Sequence, residues 1–249
     1  MKFSVSAFMM FALLLACSDN DIQPNKIAKI SRMSYSIYNE FDNWFTYHPD
    51  GRLDQRTAHA FYDSEDGVIT LGRDTATFIY NSNGQISSIE GSEITFLYDE
   101  RGNLIQCNDY NEFRNPQLME RKYYYNDDNR LYKAEEGSKT CLFTYDVSGN
   151  LTTKAVVFNG VEISKTIFLD YDNKPNPFKG NFFIFPPEGF SMVEIDYFST
   201  NNALRYSIVS PYYSQPPVFD WSSFFKYNED GLWTSGYNDF AFELEYRGN

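Results

Sequence analysis

At 249 residues the chain has room for one large all-β domain or two small ones. Aromatic residues make up 18 % of it, with 20 Tyr and 23 Phe, which leans toward strand, and a hydrophobic content of 42 % supplies a core and argues against disorder. A net charge of -13 with a pI near 4.6 argues against nucleic acid and anionic lipid headgroups as partners, because both need positive potential.

The chain opens with Lys2 and an apolar run from Phe3 to Ala16. That run is too short for a transmembrane helix and has the length of a secretion signal. It ends in Leu14-Leu15-Ala16-Cys17, followed by Ser18-Asp19-Asn20-Asp21 and then Pro24, a polar stretch with no apolar period that reads as a flexible tether. Residues 1–16 are therefore expected to be a signal, 17–29 a tether, and 30–249 the folded domain.

The domain is organised by one recurring unit, clearest in Glu93 to Gln106. Ile94, Phe96 and Tyr98 alternate, Asp99-Glu100-Arg101-Gly102 interrupts, and Leu104 and Ile105 resume. Asp at the first and Gly at the fourth position match a type I turn followed by a bulge with positive φ. The Tyr before the turn and the aliphatic after it then face each other across a hairpin. The same punctuation recurs after Tyr47, Tyr80, Tyr145 and Tyr227, and after Tyr125 with Asn129 in place of Gly. A copy with one extra residue runs from Tyr62 to Val68, and Tyr171 to Lys174 and Tyr197 to Asn201 read as degenerate copies. Such spacing marks a repeat array.

Between these units the sequence predicts second turns at Glu90-Gly91-Ser92, at Glu135 to Ser138, and at Asn159-Gly160, the strongest short hairpin signal in the chain. No stretch beyond the signal has a capped helical period. Lys174-Pro175-Asn176-Pro177 is expected to stop the ladder, since Pro cannot donate to a sheet. Two aromatic and proline-rich loops follow, one with Phe183 and Phe185, the other with Tyr212, Tyr213, Phe219 and Trp221. Strands resume at Met192 to Tyr197, Leu204 to Val209, Phe224 to Tyr227 and Phe240 to Tyr246. The expected fold is all-β: an antiparallel up-and-down meander of hairpin repeats, curved or partly closed into a barrel-like sheet.

The Leu-Leu-Ala-Cys end of the signal resembles the lipobox of bacterial lipoproteins. That resemblance implies cleavage before Cys17 and its acylation, so that Cys17 is a tether to the membrane. Ser18 resembles sorting to the outer membrane, and the acidic residues behind it resemble the surface-export signal of Bacteroidota lipoproteins. The Tyr-Asp-x-x-Gly-Asn-Leu units at Tyr98 and Tyr145 resemble the YD repeats of the Rhs and teneurin class. The run from Leu169 to Phe178 looks like a segment of Bacteroidota lipoproteins of unknown function that carry such repeats. The resemblance implies no catalytic residues.

Chemistry is sparse. His48 and His59 lack the spaced partners of a zinc site. Asp63, Glu65 and Asp66, like Asp127 and Asp128, lack EF-hand spacing and read as turn residues. Glu40 with Asp42 and Glu135 with Glu136 are acid pairs of the type glycosidases use, but nothing in the sequence sets them across a sugar. No nucleophile elbow, zincin motif or phosphate loop occurs, so neither an enzyme nor a cofactor is expected. Cys107 and Cys141 form a disulfide or serve as two buried thiols. Tyr212, Tyr213, Phe219, Trp221, Phe183 and Phe185 are the candidate contacts for a glycan or a protein, unless they fold back and cap an open end of the sheet. The leading expectation is a non-catalytic surface or outer-membrane lipoprotein presenting a β-surface, followed by an accessory glycan-binding protein for polysaccharide uptake, and then by a hydrolase.

Overall fold

The computed structural model describes residues 29–36, 40–64, 67–110, 118–177, 179, 199–223, 225–236 and 242–246. The signal, Cys17 and nearly all of the tether lie outside them, as do Phe183, Phe185 and the expected strand from Met192 to Tyr197. The described residues form an antiparallel meander. It begins with β1 (Ile30–Ser36), β2 (Glu40–Tyr47), β3 (Leu53–Ser64), β4 (Gly67–Tyr80), β5 (Ile86–Ile89), β6 (Thr95–Tyr98) and β7 (Leu104–Tyr110). It continues through β8 (Leu118–Tyr125), β9 (Leu131–Glu136), β10 (Lys139–Tyr145), β11 (Leu151–Phe158), β12 (Val161–Pro175), β13 (Asn201–Val209) and β14 (Val218–Asp220). Each of these strands pairs with the next.

The last three strands, β15 (Lys226–Tyr227), β16 (Trp233–Gly236) and β17 (Phe242–Tyr246), pair in order, and β17 returns to pair with β1. Strands β14 and β15 are thus the two ends of the sheet, which is curved and not closed into a barrel among the described residues.

The repeat unit folds as its turn residues dictate. In the hairpin of β6 and β7, Gly102 N–H donates to Asp99 C=O at 3.1 Å and Asp99 N–H to Asn103 C=O at 2.9 Å, and Gly102 takes φ 86°. This is a type I turn closed by a bulge. The Asp99 carboxylate accepts from Arg101 N–H and Asn103 N–H, an Asx turn, and these bonds help to hold its pKa below the usual carboxylate value although burial pulls the other way. The same backbone bonds recur at Gly51, Gly84, Gly149 and Gly231, and at Asn129, whose φ is 61°. Tyr and aliphatic pair across each such corner: Tyr47 with Leu53, Tyr80 with Ile86, Tyr98 with Leu104, Tyr125 with Leu131 and Tyr145 with Leu151. In the last unit Trp233 takes the aliphatic place, because Leu232 occupies the intervening polar position.

Tyrosines, those of the turns among them, also join one hairpin to the next. Tyr47, Tyr80, Tyr98, Tyr125, Tyr145, Tyr171 and Tyr246 donate their hydroxyls to the carbonyls of Ile30, Leu53, Ile86, Leu104, Leu131, Leu151 and Trp233, at 2.5 to 3.1 Å. Each acceptor is the apolar residue that starts the preceding strand. Burial pushes the phenol of Tyr80 up to about 12 and raises those of Tyr98, Tyr125, Tyr145 and Tyr246, so all remain protonated donors near neutral pH.

The residue after the turn Gly or Asn makes a second link. Arg52 lies over the Tyr80 ring at 4.7 Å, Gln85 donates to Gly102 C=O at 3.3 Å, Asn103 donates to Asn129 Oδ1 at 2.6 Å, Arg130 donates to Asp146 C=O at 2.8 Å, and Asn150 donates to Asn201 Oδ1 at 3.1 Å. Consecutive corners are therefore bonded along one end of the sheet, the Tyr-turn end.

Two copies fold otherwise than the sequence predicts. The Tyr62 to Val68 segment is no Tyr-turn unit: Ser64 pairs with Gly67 and Tyr62 with Ile69, in step and without a Gly bulge, which leaves Glu65-Asp66 as the whole connection. Tyr171 to Lys174 is no turn either. It lies inside β12, which runs on through Pro175 and follows β13 by three register shifts, with Tyr171 opposite Ala203 and Pro175 opposite Asn201.

One face of the sheet carries the core, in which Phe78, Ile86, Phe96, Leu104 and Cys107 form one cluster and Leu131, Ala134, Cys141, Phe143, Leu151, Phe168, Ala203 and Tyr206 another, with Tyr123 touching both. Cys107 on β7 and Cys141 on β10 are separated by β8 and β9 and are buried thiols, not a disulfide. Three steps of about 4.8 Å put them about 14 Å apart, beyond the 4.4–6.8 Å that a disulfide spans. The same face buries Arg121. Burial opposes its charge, but the bond to the Glu136 carboxylate and the negative charge of that group together outweigh this and raise its pKa.

Candidate functional site

The end opposite the Tyr turns carries the exposed apolar surface. Here the corner of β11 and β12 is Asn159-Gly160, with φ 50° and 80°, the two positive values a two-residue hairpin needs. Around it Phe158, Val161 (63 % exposed) and Ile163 face solvent. Strand β13 ends beside them at Val209, opposite Lys165. The chain then makes the loop Ser210 to Pro217, in which Tyr212 is 90 % and Tyr213 48 % exposed. Tyr213 N–H donates to Ser210 C=O at 3.0 Å, and Ile208 N–H to Pro217 C=O at 3.2 Å. Pro211, Pro216 and Pro217 limit the backbone further. Two tyrosine rings thus stand in solvent on a loop tied at both ends.

The structure divides the aromatic residues that the sequence groups as contacts. Phe219 pairs with Tyr206 on the core face and stacks on its ring at 5.0 Å, and Trp221 stacks on Phe219 at 6.3 Å with an interplanar angle of 11°. Trp221 N–H donates to Leu204 C=O at 2.8 Å. Both side chains pack on the core beside the end strand β14, while Tyr212 and Tyr213 project from the loop before it. Phe183 and Phe185 lie outside the described residues, and the described residues on either side of them, Lys179 and Ser199, sit at the Tyr-turn end.

Several of the described titratable groups are engaged within the fold. Glu135 and Glu136 are adjacent on β9 and point to opposite faces, Glu135 to Tyr124 Oη at 2.7 Å and Lys133 Nζ at 3.1 Å, Glu136 to the buried Arg121. Two carboxylates so placed do not flank one sugar. Asp42 binds Arg32 at 2.9 Å, and the Glu40 side chain lies outside what is described. His48 sits at its turn with Nε2 3.5 Å from Asp54, and the side chains of His59 and Asp63 lie outside the described set, as do Glu65 and Asp66. Asp127 and Asp128 are exposed turn residues. Among the described residues no three His, Cys, Asp or Glu side chains group as metal ligands.

A polar knot that the sequence does not announce ties the C-terminal hairpin to the meander at the Tyr-turn end. Asp172 accepts from Lys174 N–H and Asn202 N–H at 3.0 Å, from Asn202 Nδ2 at 2.8 Å, and from the Tyr227 hydroxyl. Burial and the Asp172 carboxylate raise the Tyr227 phenol. Tyr227, on the end strand β15, therefore bonds a carboxylate where its sister residues bond a carbonyl. Its only signal in the sequence is the run Leu169 to Phe178, legible there as a resemblance alone.

The face away from the core is charged as well as apolar. Leu97, Ile105 and Leu142 are exposed on it, interleaved with the ion pairs Arg32–Asp42, Lys122–Glu120, Lys133–Glu135 and Arg205–Asp220 at 2.9 to 3.3 Å. A membrane-spanning barrel shows the reverse, an apolar outer band around a polar interior.

No protein-family model and no curated protein matches the chain. Among solved structures, a porin-like protein from Bacteroides uniformis is similar at 12 % identity with a TM-score of 0.61, over 88 % of this chain and 98 % of its own. A porin-like protein from Bacteroides vulgatus aligns at 11 % identity over 88 % of this chain and 99 % of its own, with a TM-score of 0.39. TcdB2-TccC3 aligns at 11 % identity over 79 % of this chain and 12 % of its own, with a TM-score of 0.33. The first of these shows a shared fold; the charged outer face belongs to this chain.

Proposed function

We infer that the chain is a non-catalytic lipoprotein of the outer membrane or cell surface, anchored through acylated Cys17 and offering its β-domain for interaction. The observation that carries the reading is the tied, solvent-facing loop Ser210 to Pro217, with the exposed residues Val161 and Val218 at the same end of the sheet. Large rings held in solvent on a constrained loop suit a place of contact. The lipobox-like Leu14 to Cys17 supports the anchor, and the fold likeness to a protein described as porin-like fits an outer-membrane setting. The charged outer face favours a domain that stands in water, held by acyl chains.

The test is fractionation of cells fed labelled palmitate. Wild type is expected to carry label and sediment with outer membrane, and Cys17→Ser to lose label and appear in the soluble fraction. Retention of the unlabelled variant in the membrane would sink the reading.

A second reading, glycan binding in polysaccharide uptake, is favoured by the bare rings of Tyr212 and Tyr213, since aromatic faces stack on sugars. Titration calorimetry of the acyl-free protein against common polysaccharides is then expected to give binding that the double variant Tyr212→Ala, Tyr213→Ala abolishes. Heat signals that are identical for the two proteins would rule it out.

A further inference from the structure

The two ends of the sheet stand in different relations to the anchor. Strand β1 starts at Ile30, whose carbonyl accepts the Tyr47 hydroxyl and whose register partner is Tyr246, so the chain joins the domain at the Tyr-turn end. Lys29, the residue before it, lies over the Tyr47 ring at 5.9 Å. Strand β13 starts at that same end, where Asn201 N–H donates to Asn150 Oδ1 at 2.8 Å, and delivers the chain to the Ser210 to Pro217 loop at the other. Nine residues at about 3.3 Å each separate the two ends by about 30 Å.

We propose that, with acylated Cys17 as the anchor, the Tyr-turn end is the membrane-proximal end of the domain and the loop bearing Tyr212 and Tyr213 is its membrane-distal pole. This rests on the lipoprotein reading above. From Cys17 to Lys29 the chain spans at most about 40 Å even when drawn straight. To bring the loop to the bilayer it would have to run nearly straight along the whole side of the sheet, whereas the Tyr-turn end reaches the bilayer at almost any extension. The described corners at that end carry Asp50, Glu100, Asp127, Asp128, Glu229 and Asp230 against Arg52, Arg101 and Arg130, an acidic excess that anionic headgroups repel, and Val147 is an exposed apolar residue among their tips. These described corners therefore face the bilayer without entering it, and the domain projects the loop of Tyr212 and Tyr213 outward.

The mature acylated protein, reconstituted in phosphatidylethanolamine–phosphatidylglycerol vesicles holding a headgroup-linked energy acceptor, tests this. Donor dyes are placed on Glu100→Cys and, separately, on Ser214→Cys; Cys107 and Cys141 are buried and do not compete. Transfer from position 100 is expected to be several-fold more efficient than from position 214. Equal or reversed efficiencies in protein shown by mass to be acylated at Cys17 would overturn the orientation alone. A mass without acyl chains would overturn the anchor and the orientation together.

Discussion

The two rows of corners in this sheet differ, type I turns with a bulge at one end and shorter turns such as Asn159-Gly160 at the other, and they hold together differently. At the Tyr-turn end a Cβ added at Gly51 would lie 2.6 Å from Lys29 Nζ, one at Gly102 would lie 3.3 Å from Gln85 Nε2, and one at Gly149 would lie 2.7 Å from Thr200 Oγ1. At the opposite end Cβ atoms at Gly91, Gly137 and Gly160 would meet nothing within 4 Å. Gly84 in the first row also meets nothing within 4 Å, but the other glycines of that row have close neighbours, whereas those of the second row stand apart in solvent. The Tyr hydroxyls explain the asymmetry, because each reaches back to the hairpin before it. Repeats here associate through one end, which leaves the other free to carry exposed rings.

The largest expected break comes from ionising that row of phenols. A phenol ordinarily ionises near 10.0, and burial raises Tyr80 to about 12 and raises Tyr98, Tyr125, Tyr145 and Tyr246 as well. Folded pKa values above the unfolded value mean that the stabilisation is complete below pH 10 and is lost as pH climbs through about 12. Circular dichroism is expected to collapse in the same cooperative step, above pH 10, in which the buried phenols ionise and phenolate absorbance reaches that of all 20 tyrosines. Absorbance that reaches this full value while the β-signal persists would show that these tyrosines are not what joins the repeats.

Next in size is a core deletion at the packed end. Leu151 is fully buried, and its carbonyl accepts from Tyr171. Leu151→Ala is expected to cost about 3 kcal/mol in urea unfolding. Val161→Ala at the open end is expected to change stability by less than about 0.5 kcal/mol. Smaller again is the contrast between glycines. Gly149→Ala meets both a positive φ and the Thr200 hydroxyl and is expected to cost about 2 kcal/mol, while Gly91→Ala meets only the φ and is expected to cost about 1 kcal/mol. Equal losses would mean that contact between corners contributes nothing.

What was legible in the sequence was local. Asp99 and Gly102 fix their turn by their own chemistry, and the facing of Tyr98 and Leu104 follows from it, so the hairpins and the meander could be read without coordinates. The bonds between hairpins could not. Arg52, Gln85, Asn103, Arg130 and Asn150 occupy one position and link to the next hairpin, but two guanidiniums and three amides that reach a ring, a carbonyl or another amide share no one contact to recognise. The return of β17 to β1 joins segments more than two hundred residues apart, where no periodicity speaks. Phe219 and Trp221 look like loop aromatics because Pro216 and Pro217 precede them, and only the pairing of Phe219 with Tyr206 turns them onto the core.

That division gives the finest contrast, between two aromatic residues nine positions apart in one connection. Trp221 is half-buried against Phe219 and Tyr206, so Trp221→Ala removes stacked area and is expected to lower the melting temperature by several degrees, for a loss of about 2 kcal/mol. Tyr212 is 90 % exposed and is expected to melt unchanged as Tyr212→Ala, within about 0.5 kcal/mol. A residue that adds nothing to the fold yet holds a large ring in solvent is available for contact with something else. If Tyr212→Ala destabilises as much as Trp221→Ala, the ring is packed in solution and the open end is no contact surface.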